Sequence, residues 1–190
     1  MTSQTDQSAA SGRPPARPRF RWRLVVTVGV VSAVVLVYVR TRVIDAVVVE
    51  GRSMYPTFRN GTRLLAWHGR YRPGDLKRGS IVLLYDPIDG GIDVKRVIAL
   101  GGDRLTFVGQ RVYRNGRLLN EPYTRGGVPS PPIAGRVTIP QGSVFVMGDN
   151  RGNSTDSRTY GAVPLHRIRG RAFLAIWPPG EWGRGQRGMG

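Results

Sequence analysis

One uncharged, apolar run constrains the fold of this 190-residue chain more than any other feature. Residues 24–39 contain no charged side chain, and nine of these sixteen residues are valine. As a helix, such a run rises about 24 Å, a little short of the ~30 Å hydrocarbon core of a bilayer. Phe20, Trp22 and Tyr38 fit the aromatic belt found at membrane interfaces. The sequence therefore predicts one transmembrane anchor over 20–42.

Two other structures fit an apolar run of this length, namely a buried core segment and a cleaved signal peptide. Flanking arginines disfavour the first, and residues 40–44 lack the small-x-small pattern of a cleavage site. Five arginines precede the run and two follow it, which places the N-terminus in the cytoplasm. We therefore expect a single-pass protein of the cell membrane, with a disordered cytoplasmic tail over 1–19 and an extracytoplasmic part beyond residue 42.

Beyond residue 42, Gly and Pro interrupt nearly every junction between short apolar segments. This pattern predicts a mostly β domain over 43–178 and a flexible tail over 179–190. Asn115-Gly116 is the strongest hairpin signal, and it lies in a small hairpin and loop insertion predicted over about 104–141. The predicted strands cover residues 45–50, 63–67, 80–85, 94–100, 105–108, 111–114, 117–119, 136–139, 143–147 and 169–177.

The charge and composition indicate which partners the chain can bind and which kinds of metal or disulfide site it lacks. The chain carries 29 basic and 12 acidic residues, a formal net charge of +17, which fits an anionic membrane or nucleic acid. It has no Cys and only two histidines, so a disulfide scaffold and thiolate metal sites are excluded, and no spacing favours a zinc site. Among the basic residues, 27 are arginine, and the lysines are Lys77 and Lys95.

Ser53 is a candidate nucleophile in the segment 51–57, with the sequence GRSMYPT. A serine between a strand and a proline-containing turn is often only a turn former. A nucleophilic serine needs a base, and His68 and His166 both lie in polar turns. A Ser-His-Asp triad therefore has little support from the sequence.

Lys95 is the other candidate base, in the apolar strand segment 93–100, DVKRVIAL. Only a neutral amine accepts a proton, and burial against apolar surface favours the neutral form of a lysine. Arginine cannot take this role, because its guanidinium stays protonated in proteins. A solvated lysine on a strand face remains the alternative interpretation.

A third segment, 148–158 with the sequence GDNRGNSTDSR, follows the predicted strand 143–147. Such a polar run is ordinarily a solvated loop. It nevertheless offers hydroxyls, amides and a carboxylate–guanidinium pair, which are the groups needed to hold a buried lysine in place.

These three segments, in this order behind one apolar segment, resemble type I signal peptidase, the bacterial leader peptidase, over about residues 43–178. Residues 79–82 and 101–103 look like minor motifs of that family. The resemblance implies an antiparallel β-sheet catalytic domain that uses no cofactor and no metal. It implies a Ser–Lys serine endopeptidase that removes N-terminal signal peptides from exported preproteins after small-x-small sites.

The resemblance also implies a role for individual residues. Ser53 would be the nucleophile, with its backbone N–H donating to the oxyanion, and Lys95 would be the general base. Ser154 would orient the lysine amine. Two ion pairs would support the site, Arg96 with Asp149 and Asp156 with Arg158. Met54 and Pro56 are candidates for the substrate pocket.

The chain departs from the family at two positions. Gly51 stands where some members carry a hydroxyl as second oxyanion donor, and Gly152 stands where others carry Asp. We also expect apolar residues near the site, Tyr55, Phe58 and Trp177, to contact lipid.

Two other functions remain open from the sequence. One is a different Ser–Lys protease, such as a self-cleaving repressor, although no helix-turn-helix pattern is present. The other is a non-enzymatic basic β module that binds lipid or nucleic acid, although no stretch interleaves aromatic and basic residues as a single-strand platform would. We expect exported preproteins and anionic membrane lipid as partners, and no nucleic acid; the sequence does not specify an oligomeric state.

Overall fold

A computed structural model of the protein describes residues 22–124 and 135–178, except for the side chains of 39–42. The chain divides into two compact units, Met1–Leu36 and Val37–Gly190. The apolar run forms helix α1, Trp22–Arg42, and its large apolar side chains are exposed. The tails predicted over 1–19 and 179–190 lie outside the described residues.

Within the part of the chain that the structure describes, no helix is both long enough and apolar enough to cross a membrane. The transmembrane anchor predicted over 20–42 is therefore not supported.

The larger sheet has seven strands, and all of its pairings are antiparallel. Its strands are β1 (Ile44–Val48), β2 (Arg63–His68), β3 (Ile81–Tyr85), β4 (Ile92–Leu100), β9 (Ser143–Met147), β10 (Val163–Pro164) and β11 (Ile168–Trp177). Their order across the sheet is β1-β2-β11-β3-β4-β9-β10. The mostly β, antiparallel fold expected from the sequence is confirmed, and β4 lies between β3 and β9.

A second sheet of four strands occupies the region where a hairpin and loop were predicted. It contains β5 (Arg104–Val108), β6 (Arg111–Arg114), β7 (Arg117–Leu118) and β8 (Gly135–Thr138), in the order β7-β6-β5-β8. Asn115 and Gly116 form the turn between β6 and β7 with φ values of 55° and 81°. Two consecutive positive φ angles are what a type I′ hairpin turn needs, so the Asn-Gly signal placed this turn correctly.

Three short elements have no counterpart among the sequence predictions. They are helix α2 (Ser157–Tyr160), strand β10 and a 3-10 turn at Leu165–Arg167. An element of two to four residues is shorter than the window in which helical or strand periodicity can be recognised. Helix α2 is instead marked by its cap, because the Asp156 carboxylate accepts a hydrogen bond from the backbone N–H of Arg158.

Three clusters of buried apolar residues form the core of the β unit. One cluster joins β1, β2, β3, β4, β11 and the segment after β1, and it includes Met54 and Phe58, both with no exposed surface. The expectation that Phe58 contacts lipid is therefore wrong, because its ring is part of this core. Trp177 remains 59% exposed at the end of β11.

We predict that Leu83→Ala in the centre of β3 destabilises the fold by about 2–5 kcal/mol, because it leaves a cavity in a fully buried site. The matched control is Leu118→Ala on β7, where the side chain is 53% exposed and the loss should stay within about 0.5 kcal/mol. Denaturant unfolding midpoints of the two variants measure the difference. Equal losses would show that the core is not centred on β3.

Candidate active site

Strand β4 directs two neighbouring basic residues to opposite sides of the larger sheet. Lys95 pairs with Val82 of β3, and Arg96 pairs with Ile81 of β3 and Met147 of β9. Because successive side chains of a strand point to opposite faces, the two cations enter different surroundings. Both side chains are buried, with 3% and 0% of their surface exposed.

Ser53 lies in the turn that follows β1, and this turn is fastened to the segment that follows β9. The backbone N–H of Asn150 donates to the Ser53 carbonyl at 2.9 Å, and the Asn150 side-chain amide donates to the Arg52 carbonyl at 3.1 Å. The buried side chains of Met54 and Phe58 pack into the apolar core and so fix the same turn on its inner side. The serine is thus held between β1 and β9, although it belongs to no regular element.

A groove of about 470 Å³ brings together the three segments that the sequence singled out. It is lined by Ser53, Lys95 and Ser154, by Asp93 of β4, and by further residues of three loops: Glu50, Gly51, Arg52, Asp86, Ile88, Asp89, Asn153 and Thr155. The predicted nucleophile, the predicted base and the predicted orienting hydroxyl therefore share one cavity wall.

Within the groove, Lys95 is paired with a carboxylate. Its Nζ lies 2.8 Å from Oδ2 of Asp93, a residue of the same strand. Burial raises the pKa of the Asp93 carboxyl; the Lys95 ammonium opposes this shift, and a hydrogen bond with Asp86 adds to it. Ser154 Oγ is buried and has no hydrogen-bond partner among the described residues, so the expected contact between Ser154 and the lysine amine is not formed.

On the other face of β4, Arg96 and Asp149 form a bidentate ion pair. Nε and Nη2 of Arg96 donate to the two carboxylate oxygens at 2.8 and 2.7 Å, and both side chains are fully buried. The Thr57 hydroxyl also donates to Asp149. Since Thr57 follows Ser53 by four residues and Asp149 follows β9, this cluster ties the serine turn, β4 and β9 to one another.

The second predicted pair, Asp156 and Arg158, stabilises the polar segment that contains Ser154. The two side chains are joined by two hydrogen bonds of 2.8 Å, and the Asp156 carboxylate also accepts from the backbone N–H of Gly148. Burial acts to raise the pKa of Asp156, but the hydrogen bonds and charge of Arg158 outweigh it, so this pKa lies below its usual value. Asp156 therefore stays ionised as the anchor of this segment.

Gly148 is a position where a side chain has no room. A Cβ atom there would lie 2.3 Å from Ser154 Oγ and 2.6 Å from the Ser53 carbonyl oxygen. Such distances are far below van der Waals contact, so only glycine lets these two groups approach each other. The sequence shows Gly148 at the start of the polar segment but gives no sign of this role.

Two further buried residues were missed by the sequence analysis. Arg151 is 1% exposed and forms hydrogen bonds of 2.9 and 2.7 Å with the carboxylate of Glu121. Tyr123 lies over the Arg96 guanidinium, whose carbon is 4.0 Å from the ring centroid. In a chain with 27 arginines, nothing in the local sequence distinguishes these partners from solvated ones.

Several candidates are placed outside the groove. Met54 is fully buried in the core, and Met54 and Pro56 are not among the residues that line the groove, so their assignment as substrate-pocket residues stays a prediction. His68 and His166 line a separate cleft, where His68 Nδ1 contacts Asp45 at 3.0 Å. The backbone N–H of Gly51 donates to Asn60, so it is engaged rather than free to donate to an oxyanion.

We predict that Asp149→Asn destabilises the fold by about 3–5 kcal/mol, because it leaves Arg96 as a buried and uncompensated charge. The matched control is Asp45→Asn, which breaks the partly exposed pair with Arg169 and should cost at most about 1 kcal/mol. Denaturant titrations of both variants compare the two losses. A loss for Asp149→Asn no larger than the control would contradict the structural role given to this pair.

Comparison with known proteins identifies the family. The sequence matches the family model described as signal peptidase, peptidase S26, over residues 21–177. A signal peptidase I from Bacillus caldolyticus is 34% identical over 170 residues, which cover 83% of this chain and 90% of that protein. The mitochondrial ATP-independent inner membrane protease subunit 1a of Arabidopsis thaliana is 36% identical over 143 residues, covering 74% of this chain and 75% of that protein.

A crystal structure of a signal peptidase I from Enterococcus faecalis covers 51% of this chain and 96% of its own, with 28% identity and a TM-score of 0.44. The family match extends over most of the described residues, including β4 and the segment after β9. The chain therefore belongs to the signal peptidase family, peptidase S26, and is a signal peptidase I hydrolase.

Proposed function

We propose that this protein is a serine endopeptidase that removes signal peptides from exported preproteins, with Ser53 as nucleophile and Lys95 as general base. The observation that carries the proposal is the shared groove, in which a serine on a fixed turn and a nearly fully buried lysine line the same wall. Only a neutral amine can take the serine proton, and lysine, unlike arginine, can become neutral in a protein.

The proposed reaction begins when the neutral Lys95 amine takes the proton of the Ser53 hydroxyl. Ser53 Oγ then bonds to the carbonyl carbon of the scissile peptide, and the carbonyl electron pair moves to its oxygen. The Ser53 backbone N–H has no acceptor among the described residues, so it is available to donate to this oxyanion. Collapse breaks the C–N bond, and the Lys95 ammonium returns its proton to the leaving amine.

Hydrolysis of the resulting ester completes the cycle. Lys95 takes a proton from a water molecule, the hydroxide oxygen attacks the ester carbonyl, and the Ser53 oxygen leaves with the proton that Lys95 returns. We infer that Ser154 orients the amine during both half-reactions. Its buried hydroxyl lines the same groove and has no hydrogen-bond partner among the described residues, which supports this role.

The two buried ion pairs would affect catalysis by holding the segments that carry the catalytic side chains in place. Arg96 with Asp149 fastens β4 to the segment that holds the Ser53 carbonyl, and Asp156 with Arg158 fastens the segment that carries Ser154. Correct placement of reacting groups contributes strongly to rate, and small displacements are costly. We therefore infer supporting roles for all four residues, without direct contact with the substrate.

The proposed substrates carry small side chains at the first and third positions before the cut, as the family resemblance implies. A shallow pocket that fits a methyl group rejects larger side chains by overpacking, which typically costs about 1–3 kcal/mol. We propose that the groove beside Ser53 contains these pockets.

We further propose that the catalytic unit works at the outer face of the cell membrane, with the N-terminus on the cytoplasmic side. Helix α1 exposes apolar side chains along its described length, and the net charge of +17 favours anionic lipid. One of the relatives is an inner membrane protease by name. The alternative of a nucleic-acid-binding module fits the groove poorly, because its wall carries Glu50, Asp86, Asp89 and Asp93.

We predict that Ser53→Ala, Lys95→Ala and Lys95→Arg all lose preprotein cleavage, because the first lacks the nucleophile and the other two lack a base. Loss of a residue in a covalent catalytic unit commonly lowers kcat by several orders of magnitude. The assay follows cleavage of a preprotein by the full chain in detergent micelles, with thermal unfolding as the check on folding. Normal cleavage by Lys95→Arg would overturn the assignment of the base.

We predict that Gly148→Ala also abolishes most of the activity, because the added Cβ displaces Ser154 and the Ser53 carbonyl. Gly69→Ala is the matched control, since a Cβ at that position meets nothing within 4 Å. The same cleavage assay compares the two variants. Full activity in Gly148→Ala would show that the close approach of these two segments is unnecessary for catalysis.

A further inference from the structure

The carboxylates of this chain fall into two groups by their partners. Outside the groove, most described carboxylates are paired with arginine: Asp45 with Arg169, Asp103 with Arg78, Glu121 with Arg151, Asp149 with Arg96, and Asp156 with Arg158. Inside the groove, the described ion pair is that of Asp93, and its partner is Lys95. Among the described residues, the carboxylate that pairs with a lysine is therefore that of Asp93, beside the proposed base.

Strand geometry places Asp93 in this position. Asp93 and Lys95 are two residues apart on β4, so their side chains point to the same face of the sheet. The carboxylate is 34% exposed and the lysine 3%, so Asp93 lies on the solvent side of the amine. Asp86, buried in the turn between β3 and β4, is a second acidic group near Asp93 and contributes to the raised pKa of the Asp93 carboxyl. The ion pair with Lys95 places the Asp93 carboxylate beside the amine.

This ion pair favours the protonated form of the lysine. A carboxylate 2.8 Å from Nζ stabilises an ammonium and not a neutral amine. An ammonium cannot accept the Ser53 proton. The unpartnered hydroxyl of Ser154 in the same groove fits this arrangement, because the amine that it would orient is bound to Asp93 instead.

We propose that Asp93 is a positioning residue that holds Lys95 as an ammonium in the resting enzyme and thereby sets the pH above which Lys95 can serve Ser53. The inference rests on the proposed function, since it presupposes that Lys95 is the base. It assigns no contact between Asp93 and the substrate. Asp93 acts through Lys95 alone.

Other charged groups in the groove also influence the electrostatic potential at Lys95. Three carboxylates and one guanidinium face Lys95 from two other segments, the residues after β1 and the turn between β3 and β4: Glu50, Arg52, Asp86 and Asp89. Tyr160 of α2 lies close enough for Asp93 and Asp86 to act on its hydroxyl, whose pKa is raised chiefly by burial. None of these groups is within ion-pair distance of Lys95 among the described residues, so removal of Asp93 should dominate any change.

The first test is the pH dependence of kcat/KM for Asp93→Asn, measured by preprotein cleavage with the full chain in detergent micelles. On the acid side of this profile, kcat/KM falls as the base becomes protonated; we call this part the acid limb. We expect the acid limb of Asp93→Asn to lie about 1 pH unit or more below that of the wild type, because an adjacent opposite charge stabilises the protonated form of an amine by about that amount. One unit below the wild-type midpoint, cleavage should then rise several-fold. Asp93→Glu keeps the charge and should keep the wild-type limb, and Asp89→Asn removes a groove charge that does not touch Lys95 and should leave the limb in place.

The second test observes the lysine directly. The chain contains only Lys77 and Lys95, so isotopic labelling of lysine gives two side-chain signals, and Lys77→Arg assigns them. In Asp93→Asn, the NMR titration midpoint of Lys95 should fall by about 1 pH unit or more, while that of the exposed Lys77 should not move. A merely structural role for Asp93 would not shift one midpoint and leave the other unchanged.

Two results would overturn the proposal: an acid limb of Asp93→Asn that coincides with wild type, or an unshifted Lys95 midpoint. Should Asp93→Asn lose the folded state, Asp93→Ser repeats both measurements with a smaller neutral side chain. Lys95→Ala is included to separate the two levels of inference. If Lys95→Ala cleaves normally, the proposed function fails; if it is inactive and the limb does not move, only the role of Asp93 fails.

Discussion

The buried ion pair between Arg96 and Asp149 is the interaction on which the arrangement of the site depends. It joins the middle of β4 to the segment after β9, and Thr57 connects both to the turn that carries Ser53. A buried pair of this kind adds little net stability over an apolar contact, but the loss of one partner is costly. Its contribution is therefore to fix the relative position of three segments that are distant in the sequence.

Strand alternation gives the two cations of β4 different chemistry. Arg96 faces a carboxylate and an aromatic ring on one side, whereas Lys95 faces the groove with the serine on the other. Arginine suits the first position because it stays charged and binds a carboxylate through two nitrogens. Lysine suits the second because, unlike arginine, it can lose its proton and act as a base. A one-residue shift of register would exchange these surroundings and remove both functions.

Much of the architecture was predictable because its signals are local. Short apolar segments between Gly and Pro located the longer strands, and Asn115-Gly116 located a hairpin turn. The four-stranded second sheet was underestimated, because strand pairing between β5 and β8 joins residues about thirty positions apart and leaves no local pattern.

The site was predictable as a set of residues and less so as a set of contacts. Ser53, Lys95 and Ser154 do line one groove, as the family resemblance implied. The pairing of Lys95 with Asp93 and the tight packing at Gly148 depend on side-chain placement in three dimensions. The burial of Met54 depends on it as well, since the sequence does not show which side of the serine turn faces the core.

The most direct test of the account is a search for the covalent intermediate on Ser53. A peptide ester with small residues before the cut is mixed with the full chain, the reaction is quenched in acid within the first turnover, and the protein is digested for mass spectrometry. The account predicts an acyl adduct on the peptide that contains Ser53, and none in Ser53→Ala. An adduct on another residue, or first-turnover product release without any adduct on Ser53, would contradict the account.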